Sequence, residues 1–182
     1  PYERLYIQWS LSKFFPAKTM GSHVTNWNKN TSVKFRTDVC SSCKLGFDID
    51  LKSLSADDYK FVQQAVKNYN DMKPMILDGD QYRLVSPYEG SHCAVNYVSK
   101  DKQRAVLFAY DLHPRYKEPQ QNVKLQGLNP AKVYTVKETN LMPGKTSKLE
   151  CDGKQFSGDY LMKVGLSVFT PQDGISHVLI FE

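Results

Sequence analysis

Cys40-Ser41-Ser42-Cys43 is the most conspicuous chemistry-bearing spacing in the chain. A C-x-x-C of this kind serves as a redox pair or as half of a zinc site. A zinc site needs four ligands, and no second C-x-x-C follows; Cys93 and Cys151 lie far off in sequence and the four histidines are dispersed. The expectation is reduced cysteines on a helix face, with no metal and no cofactor. Paired carboxylates suggest a second chemistry, because glycoside hydrolysis places two of them across one bond. Asp57 and Asp58 are accounted for as anions at the positive end of a helix. Asp48 and Asp50 alternate with Phe47 and Ile49 as solvent-facing groups, so neither pair is assigned to catalysis. His23, in Gly21-Ser22-His23, stands at the end of a short strand-like run, where α/β folds carry their function. His92, His113 and His177 form no recognisable triad arrangement with a Ser, Cys or Asp, and no Gly-rich phosphate loop is present.

The elements that must position these residues change character along the chain. Ile7, Leu11, Phe14 and Phe15 recur at i, i+4, i+7 and i+8, which predicts a first helix closed by Pro16. Residues 19–25 have the length of a strand, and a polar loop follows over 26–32. From 33 to about 51 the apolar positions fit a helix that Gly46 and a period-two alternation break near its end. Ser55 then caps the clearest helix, striped by Phe61, Val62, Ala65, Val66, Tyr69 and Met72 and stopped by Pro74. Beyond residue 74 the period moves towards two, with strands predicted at 82–85, 94–98, 105–110, 123–128, 133–138 and 176–181. That spacing reads as an antiparallel β-sandwich.

The chain therefore divides into a helical piece with one strand, residues 1–73, and an all-β piece, residues 74–182. A single strand among helices cannot satisfy its own ladder hydrogen bonds, so the first piece reads as part of a larger α/β unit. With 182 residues, 41% of them hydrophobic and 12% aromatic, the chain can bury a core, which excludes a disordered chain. The net charge of +5 comes from scattered basic residues with acidic ones among them, so no nucleic-acid partner is expected. Apolar runs stop well short of the roughly 20 residues of a membrane span, and no membrane partner is expected either. Pro1-Tyr2-Glu3-Arg4 has neither an initiator Met nor a signal-peptide pattern, so the chain is expected to begin inside a longer one, cytoplasmic rather than secreted.

Several stretches taken together resemble a known family. They are Glu3-Arg4-Leu5-Tyr6-Ile7-Gln8-Trp9, Pro16-Ala17-Lys18-Thr19-Met20-Gly21-Ser22-His23-Val24, Lys34-Phe35-Arg36-Thr37-Asp38-Val39 and Leu45-Gly46-Phe47-Asp48-Ile49-Asp50-Leu51. Gly79-Asp80-Gln81-Tyr82-Arg83-Leu84 and Tyr97-Val98-Ser99-Lys100-Asp101-Lys102 continue the series, with weaker matches at Leu125-Gln126-Gly127-Leu128-Asn129-Pro130 and Gly158-Asp159-Tyr160-Leu161-Met162. In this order they are similar to the C-terminal portion of the family 36 α-galactosidases, and they run along nearly the whole chain. Cys40 and Cys43 depart from the family's pattern, as does the loop 26–32, which lacks a Pro-Asn-His sequence.

The resemblance implies a mixed fold: the last strand and helices of a truncated (β/α)8 barrel, followed by a C-terminal antiparallel β-sandwich domain. Residues 1–16 would be the helix after barrel strand seven, 19–25 strand eight, and 33–73 the closing helices. It also implies retaining hydrolysis of terminal α-linked galactose by two aspartates. The family carries one in a Lys-Trp-Asp context and the other in a Ser-Asp-rich motif just before the segment matching Pro1-Tyr2-Glu3-Arg4; this chain contains neither. No catalytic residue is thus assigned here, and the chain alone is expected to be inactive. Gly21, Ser22 and His23 are the residues expected to reach α-galactoside sugars, and a homo-oligomer is the implied assembly. The competing reading is a non-catalytic sandwich module, binding carbohydrate or purely structural, in which Tyr82, Tyr88, Tyr97 or Tyr116 would hold the sugar.

Overall fold

The computed structural model describes residues 1–27, 30–115, 117–118, 121–170 and 172–182. Its first helix, α1, spans Tyr2–Leu11. The side chains it turns inward are Tyr2, Leu5, Tyr6 and Trp9, which also follow the helical period. Ile7 and Leu11 lie on the other side and are exposed, as are Phe14 and Phe15 beyond the helix end. The period was thus legible, but α1 carries two apolar faces and only one is covered.

Strand β1 (Gly21–Thr25) follows a short 3₁₀ turn. Helix α2 (Val33–Ser41) begins where the Ser32 hydroxyl accepts the Phe35 N–H at 3.1 Å. It ends well before residue 51. The chain there forms a second strand, β2 (Lys44–Asp48), parallel to β1 and in register Gly21↔Lys44 to Thr25↔Asp48. The helical piece therefore holds two strands in a β-α-β unit, not one strand and a longer helix. Gly46 does not interrupt a helix; it sits mid-strand, where the alternation around it belongs to an extended chain.

Helix α3 (Ala56–Asp78) starts as expected, with Ser55 Oγ accepting the Asp58 N–H at 3.1 Å. Pro74 does not stop it. A proline inside a helix costs about 3 kcal/mol through its missing N–H and its ring. Met72, Met75 and Ile76, all buried against the sheet, lie on both sides of that proline and hold the final turn in place. The helix ends where the Gly79 N–H bonds the Met75 carbonyl.

The remainder is an antiparallel sheet of six strands, β3 (Asp80–Val85), β4 (His92–Val98), β5 (Ala105–Asp111), β6 (Val133–Thr139), β7 (Gln155–Ser157) and β8 (Ile175–Phe181). Their spatial order is β3-β4-β5-β8-β6-β7. Helix α4 (Gly158–Lys163) follows β7, capped by Ser157. The central strands are buried on both faces, which explains the unbroken apolar run of β5. Leu107, Ala109, Leu179 and Phe181 face one core, beneath a layer that includes Val123, Leu125, Leu161 and Val168. Tyr97, Val106, Phe108, Tyr110 and Val178 face the other, against α1, α2 and α3.

The strand expected at 123–128 is reduced to a single bridge, Val123 to Leu166. Val123, Leu125 and Leu128 are buried as a strand's inner residues would be. Gly127 turns the backbone at φ +79°, with the Tyr82 ring against it, and this ends any ladder.

A polar seam joins the helices to the sheet. Asp38 on α2 is fully buried and accepts from Lys34 Nζ at 2.5 Å, Asn140 Nδ2 at 2.7 Å and Ser176 Oγ at 2.7 Å. Tyr110 donates its hydroxyl to the Asp38 carbonyl at 3.0 Å, and Tyr97 donates to the Ser42 carbonyl at 2.6 Å. Among the described residues no helix is long and apolar enough to cross a membrane.

Candidate functional site

Alternation along β1 sorts the three residues singled out in its sequence. Ser22 and Val24 are buried under the helices, whereas Gly21 and His23 are exposed on the opposite face. The Ser22 hydroxyl is engaged from α1, accepting from Arg4 Nη1 and from Gln8 Nε2, each at 3.0 Å. It braces the strand and does not belong to the open face. Arg4 Nη1 also donates to the His23 carbonyl at 2.6 Å and to Cys40 Sγ at 3.3 Å, so one guanidinium ties α1, β1 and α2 together.

The His23 ring lies across Gly46, its register partner on β2. A methyl group at Gly46 would come within 1.9 Å of His23 Cδ2, so the ring occupies the space that a side chain would take. Gly21 has nothing near the position of a Cβ, which leaves the face open beside the imidazole. At the C-terminal end of β1 a small cleft is lined by Pro1, Arg4, His23, Thr25, Arg36 and Cys40. Arg36 Nη1 donates to the Thr25 carbonyl at 2.5 Å, and its buried Nε makes no hydrogen bond. Burial draws the guanidinium's pKa down, with Asp58 and Cys40 opposing.

The other groups weighed for chemistry serve the fold. All four cysteines are free thiols and buried. Burial raises Cys40 and pushes Cys43 up to about 12, the opposite of what a thiolate nucleophile or metal ligand requires. Among the described residues no three His, Cys, Asp or Glu side chains are grouped to hold a metal ion. Asp50 accepts the Lys52 N–H at 2.9 Å to cap a 3₁₀ turn, and Asp57 and Asp58 stand in the first turn of α3.

The tyrosines offered as a sugar platform are differently placed. Tyr97 is buried in the core, and Tyr82 packs against the other core beside Gly127. Tyr88 is exposed, but its hydroxyl meets Ser10 Oγ at 2.9 Å and its ring stands edge-on to Tyr6. Tyr116 lies outside the described residues. What sequence reasoning missed at this end of the molecule is Trp27, two residues past β1 and 90% exposed. Its signal was a lone aromatic in a stretch of Asn, Lys and Thr.

Comparison with known proteins covers both regions. The family model for melibiase matches residues 1–79, and the model for the glycosyl hydrolase family 36 C-terminal domain matches residues 92–181. A probable α-galactosidase G of Aspergillus terreus is 28% identical over 99% of this chain, and α-galactosidase 1 of Pediococcus pentosaceus is 30% identical over 89% of it. Family 36 α-galactosidase AgaB of Geobacillus stearothermophilus superposes on the whole chain with a TM-score of 0.85 at 27% identity. A variant of AgaA from the same organism, in complex with raffinose, does so at 26% identity with a TM-score of 0.85. This chain spans about a quarter of each of these proteins: 24% and 21% of the two sequences, and 24% of both structures. Matched over 89–100% of its length by these proteins, and by both family models in order, the chain belongs to glycoside hydrolase family 36 and corresponds to the C-terminal part of its α-galactosidases.

Proposed function

We propose that this chain is part of a retaining α-galactosidase that hydrolyses terminal α-linked galactose, and that residues 1–79 complete its (β/α)8 barrel. The observation that carries this reading is the likeness of the entire chain, in sequence and in fold, to α-galactosidases. The geometry supports it independently. A parallel pair joined through α2, with no further strand on either side among the described residues, is an open segment of a larger parallel sheet. Two strands where one was expected shift the count. β1 and β2 are then the last two of the eight strands, α1 is the helix before them, and the sheet that begins at β3 is the domain that follows.

In this arrangement the face bearing Gly21, His23 and Gly46 is the interior of the barrel, and the C-terminal end of β1 opens on the substrate. Two aspartates supplied by earlier strands act as nucleophile and as general acid and base: one forms the glycosyl-enzyme bond, and the other protonates the leaving oxygen and then activates water. This chain contributes the wall. His23, held by the Arg4 contact to its carbonyl and by its seat on Gly46, meets a galactose hydroxyl with its imidazole edge. The 182 residues alone have no catalytic pair and do not turn over galactosides. The exposed Ile7, Leu11, Phe14 and Phe15 are covered by the rest of the enzyme or, in the isolated chain, by a second copy.

The test is His23→Ala in the longer enzyme. Loss of a hydrogen bond to a sugar hydroxyl lowers kcat/KM for raffinose by roughly tenfold or more. An unchanged kcat and KM removes His23 from the site.

A further inference from the structure

Trp27 is the most exposed large apolar side chain among the described residues, at 90%. It lies just beyond the C-terminal end of β1, in a stretch over 26–32 whose other residues are all Asn, Lys, Thr or Ser. No apolar neighbour in its own loop shelters the indole. The loop is nevertheless anchored at both ends by α2. Arg36 holds the Thr25 carbonyl on one side, and Ser32 caps the helix on the other.

Position separates Trp27 from the exposed aromatics near α1. Phe14 and Phe15 precede β1 and so lie towards its N-terminal end. Trp27 lies at the opposite end, where a parallel sheet presents its ligands. It also directly follows the strand that carries His23 on its open face. The structures that match this chain include AgaA variants in complex with raffinose and with stachyose, sugars that extend well beyond a terminal galactose. Those outer rings need a surface, and a flat indole set among polar residues stacks on the apolar face of a sugar ring.

We propose that Trp27 is the stacking platform for the sugar ring next to the terminal galactose, and so sets the preference of the enzyme for oligosaccharides. The inference rests on the α-galactosidase reading above. The indole takes no part in bond breaking; it acts on the binding of the leaving group alone.

The experiment compares wild type, Trp27→Ala and Trp27→Phe in the longer enzyme on two substrates. Raffinose carries the outer rings, and α-galactosyl fluoride carries none. Trp27→Ala is expected to raise KM for raffinose by roughly tenfold, the size of an aromatic stacking contact. The same variant leaves kcat/KM for the fluoride within about twofold of wild type, since uniform binding of the galactose is untouched. Trp27→Phe restores most of the raffinose KM, and the melting temperatures of all three proteins agree. Equal losses on both substrates with a lowered melting temperature would show that the indole packs inside the barrel, and overturn the proposal. So would no change on either substrate. A wild-type enzyme inactive on the fluoride would overturn the α-galactosidase reading itself.

Discussion

In the C-terminal sheet β4, β5 and β8 each pair with a neighbour on both sides and are buried on both faces, whereas among the described residues β1 and β2 pair only with each other and leave one face uncovered. The difference separates the part of the chain that is closed on itself from the part that is left open. The six-stranded sheet fills both of its cores from within the chain. The parallel pair is supported from one side by α1 and α2 and turns its other side, with Gly21 and His23, outward. A strand edge or face left open in this way is completed by something else. On the reading proposed above, the closed region is the support, and the open region is the part that meets the rest of the enzyme and its substrate.

The sharpest way to break that division is to cut the seam between the regions. Asp38→Ala leaves Lys34, Asn140 and Ser176 facing an empty acceptor in a fully buried place. The cost is about 3–5 kcal/mol, read as a fall in the urea midpoint of one unfolding transition. Two separate transitions, with that of the sheet unmoved, would mean that helices and sheet are stable independently.

The glycines of the two regions offer a smaller contrast. At Gly165 φ is +78°, and a Cβ would meet the Val123 carbonyl oxygen at 2.4 Å. Backbone cannot yield there, so Gly165→Ala costs about 2–3 kcal/mol. At Gly46 the obstacle is the His23 side chain, which can swing into the open face, so Gly46→Ala costs less than about 1 kcal/mol while displacing the imidazole. Thermal melts and the His23 ring resonances in NMR check both halves. Equal costs at the two positions would erase the contrast.

A last sharpening uses pH. Glu138 in the closed region is buried, which alone raises its pKa, but His177 at 2.6 Å and the Ser147 hydroxyl hold the carboxyl below its ordinary value. A depressed carboxyl stabilises the fold above its unfolded pKa near 4.3 and loses that contribution as pH falls through the lower folded value. Glu138→Gln should therefore cost roughly 1–2 kcal/mol at neutral pH and flatten the stability curve below about pH 4. An unchanged acid limb would assign that limb to other carboxylates.

How much of this was legible in the sequence follows the same division. β4, β5 and β8 announced themselves because burial on both faces demands nearly continuous apolar residues. The start of α3 was visible in Ser55, since an N-cap is a local device. Its end was not, because Met75 and Ile76 pack on a sheet that no local rule foresees. β2 was lost for a similar reason: five residues with a glycine at the centre carry little periodicity, and their partner lies across α2. At the site, His23 was expected at a strand's end, but β1 runs on to Thr25 and places it mid-strand, on the open face. That Ser22 turns away towards Arg4 and Gln8 depends on a helix 14 to 18 residues earlier in the chain. Trp27 was passed over, because a lone aromatic in a polar stretch says nothing until the direction of β1 is known.

The most direct test of the account compares hydrolysis of α-galactosyl fluoride by the 182-residue chain with that by a longer protein carrying the rest of the barrel. The longer protein should release galactose with retained anomeric configuration, and the 182-residue chain should not exceed the spontaneous rate. Turnover by the 182 residues alone, lost on His23→Ala, would contradict the account and place the catalytic machinery in this chain.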